Sequence, residues 1–147
     1  MLAVDLRRLI AAPRGDLERW YRDSPAGQIP AGRGRGRLLL GAGAGANRAA
    51  AWYVRHVLWQ GKVFDPRRGE LRNLVTPLGI AAIVAKVYAG PSWSDGKPCI
   101  VLDYARTSLL ARWVRDEIRL VAPDLYLGVA HVGTVPVVHF ALCFGDA

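Results

Sequence analysis

The chain has 147 residues, 52% of them hydrophobic and 22% charged, a balance that supports one packed core and excludes disorder as the general state. The longest apolar stretch, Leu78 to Ala85, stops at Lys86, well short of the ~20 residues that a bilayer-spanning helix needs. Asp5, Arg7 and Arg8 interrupt the place where a signal peptide would be apolar, so a cytoplasmic protein without membrane insertion is expected. The formal net charge of +8 favours polyanions through the electrostatic term alone, but the basic residues are spread along the chain. Only Arg33, Arg35 and Arg37, alternating with Gly32, Gly34 and Gly36, form a compact basic segment. It lacks interleaved aromatics, reads as a flexible solvated stretch, and does not point to a nucleic-acid partner.

In chain order, Leu6, Leu9, Ile10, Leu17, Trp20 and Tyr21 recur at helical spacing and are interrupted by Pro13, which predicts two short amphipathic helices. Ser24 to Gly32 carries Pro25, Gly27 and Pro30 and reads as a loop. Arg35 to Leu40 can form a first strand, followed by a glycine-rich turn and a helix over Asn47 to Trp59 that ends at Gly61. Beyond it lie seven β-type runs: Lys62–Phe64, Glu70–Val75, Ile83–Ala89, Pro98–Tyr104, Trp113–Val121, Leu125–His131 and Val135–Phe144. The separators, such as Asp65-Pro66, Asp95-Gly96, Pro123-Asp124 and Gly133-Thr134, are too short for crossover helices. Successive strands therefore pair antiparallel as a meander, and closure of the sheet would remove its edges. The expected fold is mainly β: a lipocalin- or calycin-like antiparallel barrel over residues 32–147, preceded by a helical segment and loop over residues 1–31, together one fold unit. An edge left uncovered would offer a route to a homodimer.

Both faces of the last two strands are largely apolar. Leu125, Leu127 and Val129 with Val138, Phe140 and Leu142 form a bulky set; Tyr126, Gly128 and Ala130 with Val137, His139, Ala141 and Cys143 form a smaller one. The expectation is that the bulky set packs under the helices and the smaller set borders a cavity, the competing reading being a filled barrel interior.

Gly32-Arg33-Gly34-Arg35-Gly36-Arg37, Trp59-Gln60-Gly61-Lys62-Val63-Phe64, the strand Cys99 to Tyr104 and Leu125-Tyr126-Leu127-Gly128 together resemble the bacterial GXWXG domain family. The resemblance implies a lipocalin-like barrel and a hydrophobic ligand. Gly34 stands where that family carries its tryptophan, so an aromatic plug on the first strand is missing.

Asp116 interrupts the apolar face of Val114, Ile118 and Leu120, where a buried carboxyl suits general acid or base work or pairs with an arginine. Arg115, Glu117 and Arg119, on the opposite face of that strand, read as a solvated ladder. Tyr104, Tyr88 and Tyr126 could each donate a hydrogen bond to a ligand, Trp59 could wall a pocket or anchor the core, and His139 could serve as an acid or base in the pocket. His139 and Cys143 would lie ~13 Å apart along one strand, too far to chelate a metal as a local pair. Cys99 and Cys143 form no CxxC pair and read as reduced thiols. The run Gly41-Ala42-Gly43-Ala44-Gly45-Ala46 matches a dinucleotide-binding loop, but the hairpins that follow it are not the crossovers a Rossmann domain requires. No metal and no cofactor are expected. The lead expectation is a barrel that binds a lipid, terpenoid or polyketide-like molecule, with Asp116 and Tyr104 as catalytic candidates and Trp59, Tyr88, Tyr126 and His139 as ligand contacts. A cofactor-independent cyclase or isomerase of secondary metabolism, using the same cavity, is the alternative.

Overall fold

In the computed structural model the described residues are 4–39, 62–74, 81–105 and 112–145, with the backbone alone described at 73, 74 and 81–83. The expected helix over 47–59, the glycine-rich run after Leu40 and Trp59 lie outside these residues. Helix α1 (Leu6–Ala11) starts at Asp5, whose carboxylate accepts the Arg8 backbone N–H at 2.8 Å. It stops at Ala12, extended at ψ 140° ahead of Pro13, and α2 (Arg14–Asp23) begins at once. Leu9, Leu17 and Tyr21 turn the apolar face of this pair onto the outside of the sheet. Among the described residues, no helix is long and apolar enough to cross a membrane.

Eight strands follow: β1 (Gly32–Leu39), β2 (Lys62–Asp65), β3 (Glu70–Leu74), β4 (Ala81–Pro91), β5 (Pro98–Asp103), β6 (Val114–Ala122), β7 (Leu125–Val132) and β8 (Val135–Cys143). Each pairs antiparallel with the next, and β8 returns to β1, so the sheet is a closed barrel in meander order. The mainly β, lipocalin-like class expected from the turn spacing is the one observed. Each of the eight strands is hydrogen-bonded to two neighbours. The Gly-Arg segment is also corrected: it is strand β1, with its arginines outward and Gly34 and Gly36 on the inward side.

On β7, Leu125, Leu127 and Val129 lie under the helices and Tyr126, Gly128 and Ala130 face inward, as expected. On β8 the expected faces are reversed: Phe140 and Leu142 point in, while His139, Ala141 and Cys143 point out. The two-residue hairpin at Gly133-Thr134 starts with Val132 opposite Val135, but opposite the Ala130–His131 step β8 carries one additional residue, Val137. One added residue changes the side-chain parity of everything paired below it. The small side chains on β7 consequently admit a ring rather than leave a void. A Cβ at Gly128 would stand 2.3 Å from Cζ of Phe140, and one at Gly34 would stand 2.6 Å from Cζ of Phe144.

One end of the barrel is sealed. Segment 24–31 crosses it, accepting the Tyr126 hydroxyl at Gln28 O (2.6 Å) and the Leu120 N–H at Pro25 O (3.0 Å). Phe64, Phe144 and Tyr126 pack edge to face beneath that segment, with ring centroids 5.5 and 5.6 Å apart. At the opposite end lie the Gly133-Thr134 turn and the ends of β1, β3 and β5.

Because Phe140 occupies the space of a Gly128 side chain, Gly128→Ala is expected to lower unfolding stability by ~1–3 kcal/mol in a urea titration. Adding Phe140→Leu should recover part of that loss, whereas a Gly128→Ala variant as stable as the wild type would refute the packing described.

Candidate functional site

Toward the end of the barrel away from segment 24–31, three polar side chains meet among apolar residues. Lys62 opens β2 on the same face as Phe64, Tyr104 follows β5 in phase with Ile100 and Leu102, and Asp116 sits on β6 between Val114 and Ile118. All three side chains have 0% exposure. The Lys62 Nζ donates to the Tyr104 hydroxyl oxygen at 2.7 Å and lies 3.4 Å from Asp116 Oδ2. Asp116 pairs across the sheet with Leu102 on one side and Ala130 on the other, so its surroundings are apolar. Burial pushes the Lys62 amine below its ordinary value, and the Asp116 carboxylate pulls back against that shift. An ammonium, a phenol and a carboxyl within one contact shell form a donor and acceptor set that can bind a ligand oxygen and relay a proton.

Tyr104 and Asp116, separate candidates in the sequence, are thus joined by a residue that the sequence reading did not single out. The available signal was parity: Lys62 alternates with Val63 onto the inward face of Phe64. The other candidates disperse. Tyr126 does face the interior, but at the sealed base, where its hydroxyl is held by Gln28 O. Tyr88 is 40% exposed on the outer wall and donates to Asp103 Oδ2 at 2.8 Å. His139 is on the outer wall, a consequence of the additional residue Val137 in β8, where it lines a groove of about 230 Å³ with Arg14 and Glu18 of α2. Burial lowers its pKa to about 4, Arg14 pushes the same way and Glu18 opposes. Trp59 lies outside the described residues.

The expected solvated ladder on β6 is instead a buried latch, because α2 and the loop after β4 cover it. Glu117 accepts from the Tyr21 hydroxyl (2.9 Å), the Ser92 hydroxyl (2.6 Å), the Trp93 N–H (2.8 Å) and Arg115 Nε (3.1 Å). Arg119, wholly buried, donates twice to Asp95 at 2.8 Å and also to the carbonyls of Tyr21, Lys97 and Pro98. Every guanidinium N–H therefore has an acceptor, which makes burial of this charge tolerable. This saturated network fastens α2 and the β4–β5 loop to the wall.

Over 96% of its own length and 96% of the other's, the chain is similar in fold to the crystal structure of a protein from Thermomonospora curvata, with a TM-score of 0.70 and 20% identity. That likeness shows the barrel alone. No family model and no curated protein matches the chain.

The latch sets the acid limb of stability. Hydrogen bonding from Arg119 holds Asp95 at about 2, below its ordinary 3.8, although partial burial opposes the shift. Burial pushes Glu117 up, but the bonds from Ser92, the Trp93 amide and Tyr21 outweigh it and leave the carboxyl below its usual range. Carboxyls depressed in the folded state contribute stability that is present above their unfolded pKa and lost as pH falls through the folded one. Unfolding free energy should therefore decline as pH drops from 3.8 toward 2, and Asp95→Asn should flatten that decline. An identical acid limb in the variant would contradict the latch.

Proposed function

We propose that the protein binds a hydrophobic small molecule carrying an oxygen function, held against Lys62, Tyr104 and Asp116. The observation that carries this reading is a wholly buried cluster of lysine, tyrosine and aspartate among the apolar inward residues described. Taking two ions out of water costs several kcal/mol each, and apolar residues of similar volume would fill the space without that cost. Convergent polar groups in an apolar enclosure, with perturbed titration, are the usual mark of a ligand site. Lipid, terpenoid and polyketide-like molecules share the required character: an extended apolar body and a carbonyl, carboxyl or hydroxyl end. Because rings fill the base, a ligand with its polar end at Lys62 would direct its apolar end toward Phe140 by displacing interior side chains.

A catalytic reading uses the same contacts. The ammonium of Lys62 touches both a phenol and a carboxyl, which supplies a proton donor and an acceptor without a cofactor, as a cyclase or isomerase of a flexible apolar substrate needs.

The test is to incubate the protein with a cell extract, repurify it, extract it with organic solvent and identify released compounds by mass spectrometry. Lys62→Met should bind the recovered compound at least ~10-fold more weakly, the loss expected for a charged hydrogen bond. Asp116→Asn should abolish turnover of that compound if the barrel is an enzyme and leave its affinity nearly intact if it is a carrier. Recovery of no apolar compound, or unchanged affinity in Lys62→Met, would overturn the proposal.

A further inference from the structure

The outer wall of β1–β3 carries a charge pattern that the inner site does not use. Gly34 faces inward beneath Phe144, so Arg33, Arg35 and Arg37 all project outward and are exposed. Successive arginines on one strand face are ~6.6 Å apart. Arg33 pairs with Val63 and Val63 with Arg72, which places the exposed Arg72 in the same row two strands away. The two acids on this wall are engaged at its margin: Asp65 by Arg68 at 3.7 Å and Glu70 by Lys86 at 3.1 Å. Among the described residues, Arg33, Arg37 and Arg72 join no acid. Four guanidinium groups therefore stand close together on a regular backbone in a chain of net charge +8.

We infer that this arginine wall docks the protein on an anionic lipid surface. The geometry favours a membrane over a nucleic acid. Single-stranded nucleic acids are held by aromatic platforms in a groove, whereas the outward positions between these arginines on β2 and β3 are Val63, Asp65 and Glu70, with no aromatic ring among them. An extended sheet face with fixed, spaced cations suits a plane of phosphate headgroups instead, each arginine near the surface adding a similar increment of attraction. The inference stands independently of the interior ligand, because the wall and the cluster lie on opposite sides of the sheet.

The experiment is cosedimentation with vesicles of phosphatidylcholine alone or with phosphatidylglycerol, for the wild type, for Arg33→Gln/Arg37→Gln/Arg72→Gln, and for Arg19→Gln/Arg22→Gln/Arg112→Gln. The last triple removes the same formal charge from exposed sites elsewhere. Wild-type protein should bind only the anionic vesicles and release them as salt rises. The wall triple should bind on the order of a hundred-fold more weakly, at about five-fold per arginine, while the control triple binds nearly as well as the wild type. Three results would overturn the proposal: no preference of the wild type for anionic vesicles, equal weakening by the two triples, or displacement of the vesicles by a trace of single-stranded oligonucleotide. Circular dichroism of both triples separates loss of binding from loss of fold.

Discussion

Closing eight strands into a barrel fixes an interior only just wide enough for side chains to fill, so each large inward group needs a small one opposite it. Here Phe140 lies over Gly128 and Phe144 over Gly34. These ring-on-glycine contacts, with the 24–31 segment drawn across the base by Tyr126 and Leu120, determine which end is solid and which end holds polar groups. At position 34, where the resemblance would set a tryptophan, glycine receives an aromatic ring from the far end of the chain. The glycines of β1 also leave every outward position of its basic segment to arginine, so one packing constraint shapes both the core and the charged wall.

Strand β6 shows how one segment serves two environments. Its inward residues bring Asp116 to Lys62 and Tyr104; its outward residues, Glu117 and Arg119, tie α2 and the β4–β5 loop to the wall. The two buried networks differ in what they join. Arg119 has an acceptor for each N–H, and Glu117 has four donors, so the outer network is a fastener. The inner one gathers three titratable groups of different kinds among Leu102, Val114 and Ala130, an arrangement suited to meeting a ligand.

Much of this was legible in the sequence because it is local. Turn chemistry at Asp65-Pro66, Pro123-Asp124 and Gly133-Thr134 separated the strands, Pro13 divided the helices, and Asp116 stood out as a carboxyl on an apolar face. What escaped depends on contacts between distant residues. The additional residue Val137, opposite the Ala130–His131 step, reversed β8 and carried His139 outside. The burial of Glu117 and Arg119 required α2, nearly a hundred positions away at |i−j| of 96 and 98, to fold over them. Lys62 reaches Tyr104 across 42 positions and looks, in isolation, like an ordinary charged residue at a strand start.

The most direct measurement of the central claim is a crystal structure of the protein with a compound recovered from extract. The account predicts density inside the barrel with the ligand's oxygen within hydrogen-bond distance of Lys62 Nζ or Tyr104 Oη and its apolar end toward Phe140. A ligand seated in the outer groove beside His139, or in the cleft between Trp93 and Trp113, with the Lys62–Tyr104–Asp116 contacts undisturbed, would contradict it.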